Sequence, residues 1–244
     1  MRSIRGPLPL SSLCVLSLFG CISIAGQTTP TQFETGGVEI AIPVPWNGML
    51  EMGPEKRHFM DQFVPPSNRL IAGFVAQDDL SKVHVADIKA PPRIAMVAVS
   101  RQFESRNISQ GDFKLIIDSV SKDFNATVSA FAKDNEQNFN RKLQSLDLDN
   151  PKIKFAEPIS LGCLFSTPDS AGFGTILQAS ASGGSSSTSL ESSLTKVVSV
   201  LYIRTRNRVL FAYIFADYKD KDTVIWLRKA SQDWVNQVLA ANKE

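Results

Sequence analysis

The stretch KVVSVLYIRTRNRVLFAYIFADY, residues 196–218, constrains the fold more than any other. Two runs rich in β-branched and aromatic residues flank RTRNR and read as a β-hairpin turning near Asn207. Both runs are apolar at consecutive positions, not at alternate ones. Strands of that kind have no face to leave in water, so the hairpin needs a covering layer on each side of its sheet.

Two segments read as helices that pack on the sheet. The first begins at Ser109, an N-cap followed three residues later by Asp112, close to a capping box. Phe113, Ile116, Ile117, Val120, Phe124, Val128 and Phe131 then recur at helical spacing, and Phe139, Leu143 and Leu146 carry a looser pattern to DLDNPK. The second is an amphipathic C-terminal helix from about Asp222, with Trp226, Ala230, Trp234 and Val238 four apart and Leu227 and Leu239 beside them. Further strands are VEIAIPVP (38–45, ended by its prolines), RLIAGFVA (69–76), RIAMVAVSR (93–101), EPISLGCLFST (157–167) and AGFGTILQASA (171–181), the last two flanking the turn PDS. WNGMLEMGPEKRHFMDQFVPPSN (46–68) reads as loop with one helical turn, and the Ser/Gly-rich SASGGSSSTSLESS (180–193) as a flexible loop. Strands grouped around one long helix, then a terminal helix, imply an α+β domain on an antiparallel sheet and not a βαβ alternation.

The N-terminus sets the expected compartment. Arg2 and Arg5 precede an uncharged, apolar run that reaches Ala25, the pattern of a secretory signal. Ser23 and Ala25 suit cleavage after Ala25, leaving a polar linker over 26–36 and one domain over 37–244. In the alternative, LFGC is a lipobox and Cys21 is acylated, although ISIAG continues the apolar run beyond it. Cleavage after Ala25 removes Cys14 and Cys21 and leaves Cys163 alone, so the domain must rest on its core without a disulfide. An exported, disulfide-free chain points to the bacterial envelope, periplasmic or secreted. Contact with the membrane is expected only through the signal or a lipid anchor. The chain has 26 Lys+Arg and 24 Asp+Glu, and removing Arg2 and Arg5 balances them, which gives no broad electrostatic reason to bind nucleic acid.

VEIAIPVPW, NRLIAGFV and VLYIRTRNRVLFAYIFADYKDKDTVIWLRKASQDWVNQVLAANK together resemble the PsbP/Mog1-like α+β sandwich family over most of residues 36–243. The resemblance implies a binding or assembly-assisting domain, since members serve as extrinsic subunits or partner-binding proteins and not generally as enzymes. It assigns no functional residue here.

The residues themselves give little for catalysis. His58 and His84 stand 26 apart and make no metal-binding spacing. Asp147 and Asp149 are spaced like a calcium loop but lack its glycine and third acid. No G-x-S-x-G, G-x-G-x-x-G or G-K-[ST] occurs, and Gly172 and Gly174 lie between strand residues. We therefore expect no cofactor, no metal and no catalytic residue. Cys163, on a strand, reads as a small hydrophobe; the alternative is a small-ligand carrier or hydrolase using it in a sheet cleft. Two features suit binding a protein or envelope assembly. Arg204, Arg206 and Arg208 alternate across the hairpin turn and would form a cationic tip. Trp46, between Pro45 and Asn47-Gly48, is a large aromatic in a turn. A structural lipoprotein acylated at Cys21 is the third reading.

Overall fold

The computed structural model describes residues 30–61, 64, 67–82, 92–145, 152–182 and 192–243. The signal-like segment, Cys14 and Cys21, His84, Asp147 and Asp149, and residues 183–191 of the serine-rich stretch lie outside them. Among these residues, ten strands and three helices occur in the order β1 (Thr31–Thr35), β2 (Val38–Ile42), β3 (Met49–Glu51), α1 (Pro54–Asp61), β4 (Asn68–Ala76), β5 (Arg93–Ser100), α2 (Gln110–Ser145), β6 (Lys152–Phe155), β7 (Ile159–Thr167), β8 (Ser170–Ser182), β9 (Ser192–Thr205), β10 (Arg208–Asp217), α3 (Lys221–Ala241), with a 3-10 turn at Gln77–Lys82. The main sheet runs β3-β4-β5-β10-β9-β8-β6, with β7 also on β8, and β1 and β2 form a separate ribbon. Every strand pair among the described residues is antiparallel, so the α+β class holds.

The β9–β10 hairpin occupies the middle of the sheet, and both its faces are covered. Leu201, Ile203, Leu210, Ala212 and Ile214 are buried with Leu227, Trp234, Val235 and Val238 of α3. Tyr202 and Val209 pack with Phe113, Ile117, Phe124 and Val128 of α2 on the other face. Successive side chains of a strand point opposite ways, so an unbroken apolar run feeds two cores at once. Each of the large fully buried residues contributes about 1.5–3 kcal/mol.

The starts of α2 and α3 are capped by local chemistry. The Ser109 hydroxyl accepts from Asp112 N at 3.1 Å while the Ser109 N–H donates to the Asp112 carboxylate at 3.2 Å, the reciprocal pair expected from the spacing. The cap of α3 is Asp220, not Asp222: its carboxylate accepts from Thr223 N at 3.0 Å, and the Thr223 hydroxyl accepts from Asp220 N. Asp222 lies in the first turn, because a cap needs extended backbone and Asp220 has it (φ −164°). The buried stripe of α3 is also rotated from the four-apart pattern: Leu227, Ser231, Trp234, Val235 and Val238 are buried, while Trp226 is only half-buried. Ser231 tolerates that position because its hydroxyl donates to Ser199 Oγ of β9 at 2.8 Å.

Two other expectations are corrected, and one strand is added. Residues 31–35, expected to be linker, form β1, which pairs with β2 across Gly36-Gly37; both glycines have positive φ (56° and 76°), the requirement of a type I′ turn. Residues 49–61, expected to be mostly loop, contain β3 and the eight-residue α1. Lys152–Phe155, a short K-I-K-F alternation between the end of α2 and the strand from Ile159, forms β6, which pairs with one half of β8 while β7 pairs with the other.

Candidate functional site

Three places invite a functional reading: the hairpin tip, the corner at Trp46, and a cleft beside Cys163. The tip is a two-residue turn, with Thr205 opposite Arg208 and positive φ at Arg206 (46°) and Asn207 (59°). Its arginines do not form a common cationic surface. Arg204 gives Nε and a terminal nitrogen to the Asp169 carboxylate at 2.9 and 2.7 Å, and another to Asn207 Oδ1 at 3.0 Å. Arg208 is only 7% exposed. It donates to the carbonyls of Gly36 (2.9 Å) and Arg106 (3.3 Å) and to Asn107 Oδ1, while its Nε, also buried, has no partner. No carboxylate pairs with it among the described residues; it is a cation held by backbone carbonyls, joining the β1–β2 turn to the segment before α2. Gly36 must be glycine there, because a Cβ would come 2.1 Å from Glu104 O and 2.9 Å from Arg208 Nε. Of the three, Arg206 alone is exposed, and it donates to Glu39 O at 3.1 Å.

The corner is built by α3 gripping the segment 41–46 at three points. The Asn242 side-chain amide takes both backbone groups of Ala41, accepting at 2.8 Å and donating at 2.7 Å. Trp234 Nε1 donates to Pro43 O at 2.9 Å. Farther back along α3, Trp226 meets Trp46 edge to face, with centroids 5.4 Å apart and planes at 83°. Trp46 is held by its turn: Met49 N donates to Trp46 O at 3.3 Å, and Gly48 supplies the φ of 83° the turn needs. Over the Trp226 ring lies the guanidinium of Arg93, 4.3 Å from its centroid, from the first residue of β5. Arg93 makes no ion pair or side-chain hydrogen bond among the described residues. Beside Trp226, Ile225 is 67% exposed. The Asp220 cap starts this helix, and hydrogen bonds from the Thr223 backbone and hydroxyl hold its carboxyl below the ordinary aspartate range. Of these residues the sequence singles out Trp46 and suggests Trp226 as core. It gives little warning of Arg93, whose only signal is a charge at the start of a strand.

The cleft, about 440 Å³, lies between α2 and β7 and is lined by Ser121, Lys122, Asp123, Asn125, Ser160 and Cys163, with Phe173 also at its wall. Irregular backbone meets across it. The α2 backbone leaves helical geometry at Asp123 (φ −115°, ψ 20°), whose carbonyl accepts from Thr127 Oγ1 at 3.0 Å. Opposite, the register of β7 shifts twice against β8, around Gly162 (φ 72°) and between Cys163 and Phe165. Each shift turns the following side chains to the other face. Cys163 thus stands exposed opposite Phe173, while Leu161 and Phe165 pack toward α3. This accounts for Gly172 and Gly174: a Cβ would meet Phe165 at 2.5 Å and Leu164 at 2.9 Å, respectively. Among the described residues no three His, Cys, Asp or Glu side chains gather as metal ligands would.

No protein-family model matches the chain, and neither does the sequence of any curated protein. Among solved structures it is similar to the Ran-binding protein Mog1p of Saccharomyces cerevisiae, at 13% identity over 88% of this chain and 93% of that one, with a TM-score of 0.26. It is also similar to the cyanobacterial PsbP of Synechocystis sp., at 12% identity over 88% of this chain and 96% of that one, with a TM-score of 0.32. These carry the names of the family that the sequence pattern resembles; at such TM-scores they bear on neither the site nor its partner.

Proposed function

We propose that the chain is a non-catalytic protein-binding module of the bacterial cell envelope, exported by its N-terminal signal, that engages its partner at the Trp46–Trp226 corner. One observation carries this reading: two half-buried tryptophans meet edge to face, an exposed arginine lies over one of them, and Ile225, next to Trp226 in α3, is exposed. Tryptophan and arginine dominate measured interface energies, and side chains already held in place lose little entropy on binding. The export part rests on the signal-like sequence alone. Fractionation of the native host and sequencing of the mature N-terminus test it, and an acylated Cys21 would place the protein on the membrane.

The surface is tested by a photo-cross-linking residue placed at Ile225 or, as control, at Leu115, an apolar residue of α2 that is 69% exposed. The reading expects a discrete adduct from position 225 and none from 115; equal backgrounds would defeat it. The second reading, a small ligand in the α2–β7 cleft, is favoured by the exposed thiol of Cys163 on the wall of that cleft. A thiol alkylated well below pH 8, and protected by the ligand, would support it.

A further inference from the structure

Resting on the corner as a binding surface, we infer that its partner presents a carboxylate, from Asp or Glu, beside an apolar side chain, and that Arg93 is the residue that reads it. What Arg93 lacks is the first indication. A guanidinium normally spends its N–H groups on acceptors, as Arg204 does on Asp169 and Asn207, and Arg208 on Gly36, Arg106 and Asn107. Arg93 is exposed, and among the described residues no carboxylate or carbonyl takes its N–H groups. Its position is nevertheless held, by stacking 4.3 Å from the Trp226 centroid. A guanidinium carbon over a ring places the cation on the π face, and a guanidinium lying flat there keeps its edges, where the N–H donors point, available. A flat fork held in that way matches a carboxylate with two parallel bonds and little further loss of side-chain freedom.

The surroundings agree in sign and in polarity. On α3, Lys221 and Arg228 lie four before and three after Ile225, hence on its side of the helix, and neither has an ion pair among the described residues. Asp233 is taken by Lys229 at 2.8 Å. Asp217, beside Pro92 at the end of β10, is taken by Lys196, and Asp220 is occupied as the helix cap, which leaves Asp222 in the first turn of α3 against Arg93, Lys221 and Arg228, none of them ion-paired among the described residues. An acidic segment would therefore be drawn to this corner and a basic one repelled. Ile225 and the exposed parts of the two tryptophans supply the apolar part of the surface, which a fully charged ligand would not use.

The experiment begins with the cross-linker at position 225 in the native host and identifies the cross-linked segment by mass spectrometry. That segment is then made as a peptide in two forms, with its acids intact and with each acid replaced by its amide. Affinities of both are measured by tryptophan fluorescence against the wild-type protein, Arg93→Gln and Arg93→Lys. We expect the acidic form to bind wild type about ten- to hundredfold more tightly than the amide form. Arg93→Gln should bind the two alike, and Arg93→Lys should keep part of the preference, since it retains charge without the fork. An unchanged melting temperature in Arg93→Gln shows that the loss is not one of folding. Equal binding of both peptides by wild type would overturn the carboxylate assignment and leave the surface standing. A preference undiminished in Arg93→Gln would remove Arg93 from the role. No adduct at position 225 would overturn the surface and this inference with it.

Discussion

The hairpin tip and the Trp46 corner are both arginine-bearing surfaces, and the chain treats them in opposite ways. At the tip, Arg204 and Arg208 turn inward and use their donors on Asp169, Asn107 and backbone carbonyls. At the corner, Arg93 lies over an aromatic ring, and among the described residues nothing takes its donors. The density of charge in the sequence favours the tip, with three arginines alternating over residues 204–208. Hydrogen-bond satisfaction favours the corner. A cation is available to a partner only when the fold has not already used it.

Replacing each arginine by glutamine, one at a time, sharpens this contrast. The largest effect is expected at Arg208. Its removal takes the donors from the carbonyls of Gly36 and Arg106 and from the Asn107 amide oxygen and leaves a gap at a buried position, so Arg208→Gln should cost about 2–3 kcal/mol in urea unfolding, and Arg208→Lys should not restore it because one ammonium cannot reach all the acceptors. Arg204→Gln should cost about 1–2 kcal/mol, less because its pair with Asp169 is partly exposed. Arg93→Gln should cost under about 1 kcal/mol, the scale of an exposed cation–π contact, while abolishing the selectivity for a carboxylate. If the two ends of this order were reversed, the contrast between spent and available arginines would fail.

Acid tests the corner by itself. Asp220 titrates below the ordinary aspartate value of 3.8 in the folded chain, so its cap is fully effective above that value and is lost as pH falls through the depressed one. We expect the near-ultraviolet circular dichroism of the Trp46–Trp226 pair to change in that window, and Asp220→Asn to remove that part of the pH dependence. The smallest effect has the opposite sign. Arg206 sits at positive φ with one exposed hydrogen bond, a conformation asparagine adopts more readily. Arg206→Asn should therefore raise stability by about 0.5 kcal/mol and the melting temperature by about 1–2 °C.

Much of the scaffold is legible in local sequence. The two apolar runs over 197–203 and 209–216 announce two covered faces, and Ser109 with Asp112 announces a capped helix. Pro43 ends β2, and Asn207 marks the turn. What local sequence hides depends on partners distant in the chain. β1 looks like linker because a polar five-residue strand exists only when β2 lies beside it, although Gly36-Gly37 is a turn signal in plain view. The glycines of AGFGT look unexplained until β7 slips twice and lays Leu164 and Phe165 over them.

The sequence by itself determined the class of the fold, the places of its long helices and the hairpin at its centre, because those follow from periodicity and capping within a few residues. Only the tertiary structure decided which arginines are spent and which is available, which tryptophan is buried and which stands at a surface, and where Cys163 faces. Those outcomes depend on contacts between residues far apart in the chain, such as Asn242 on Ala41, and no local pattern encodes them.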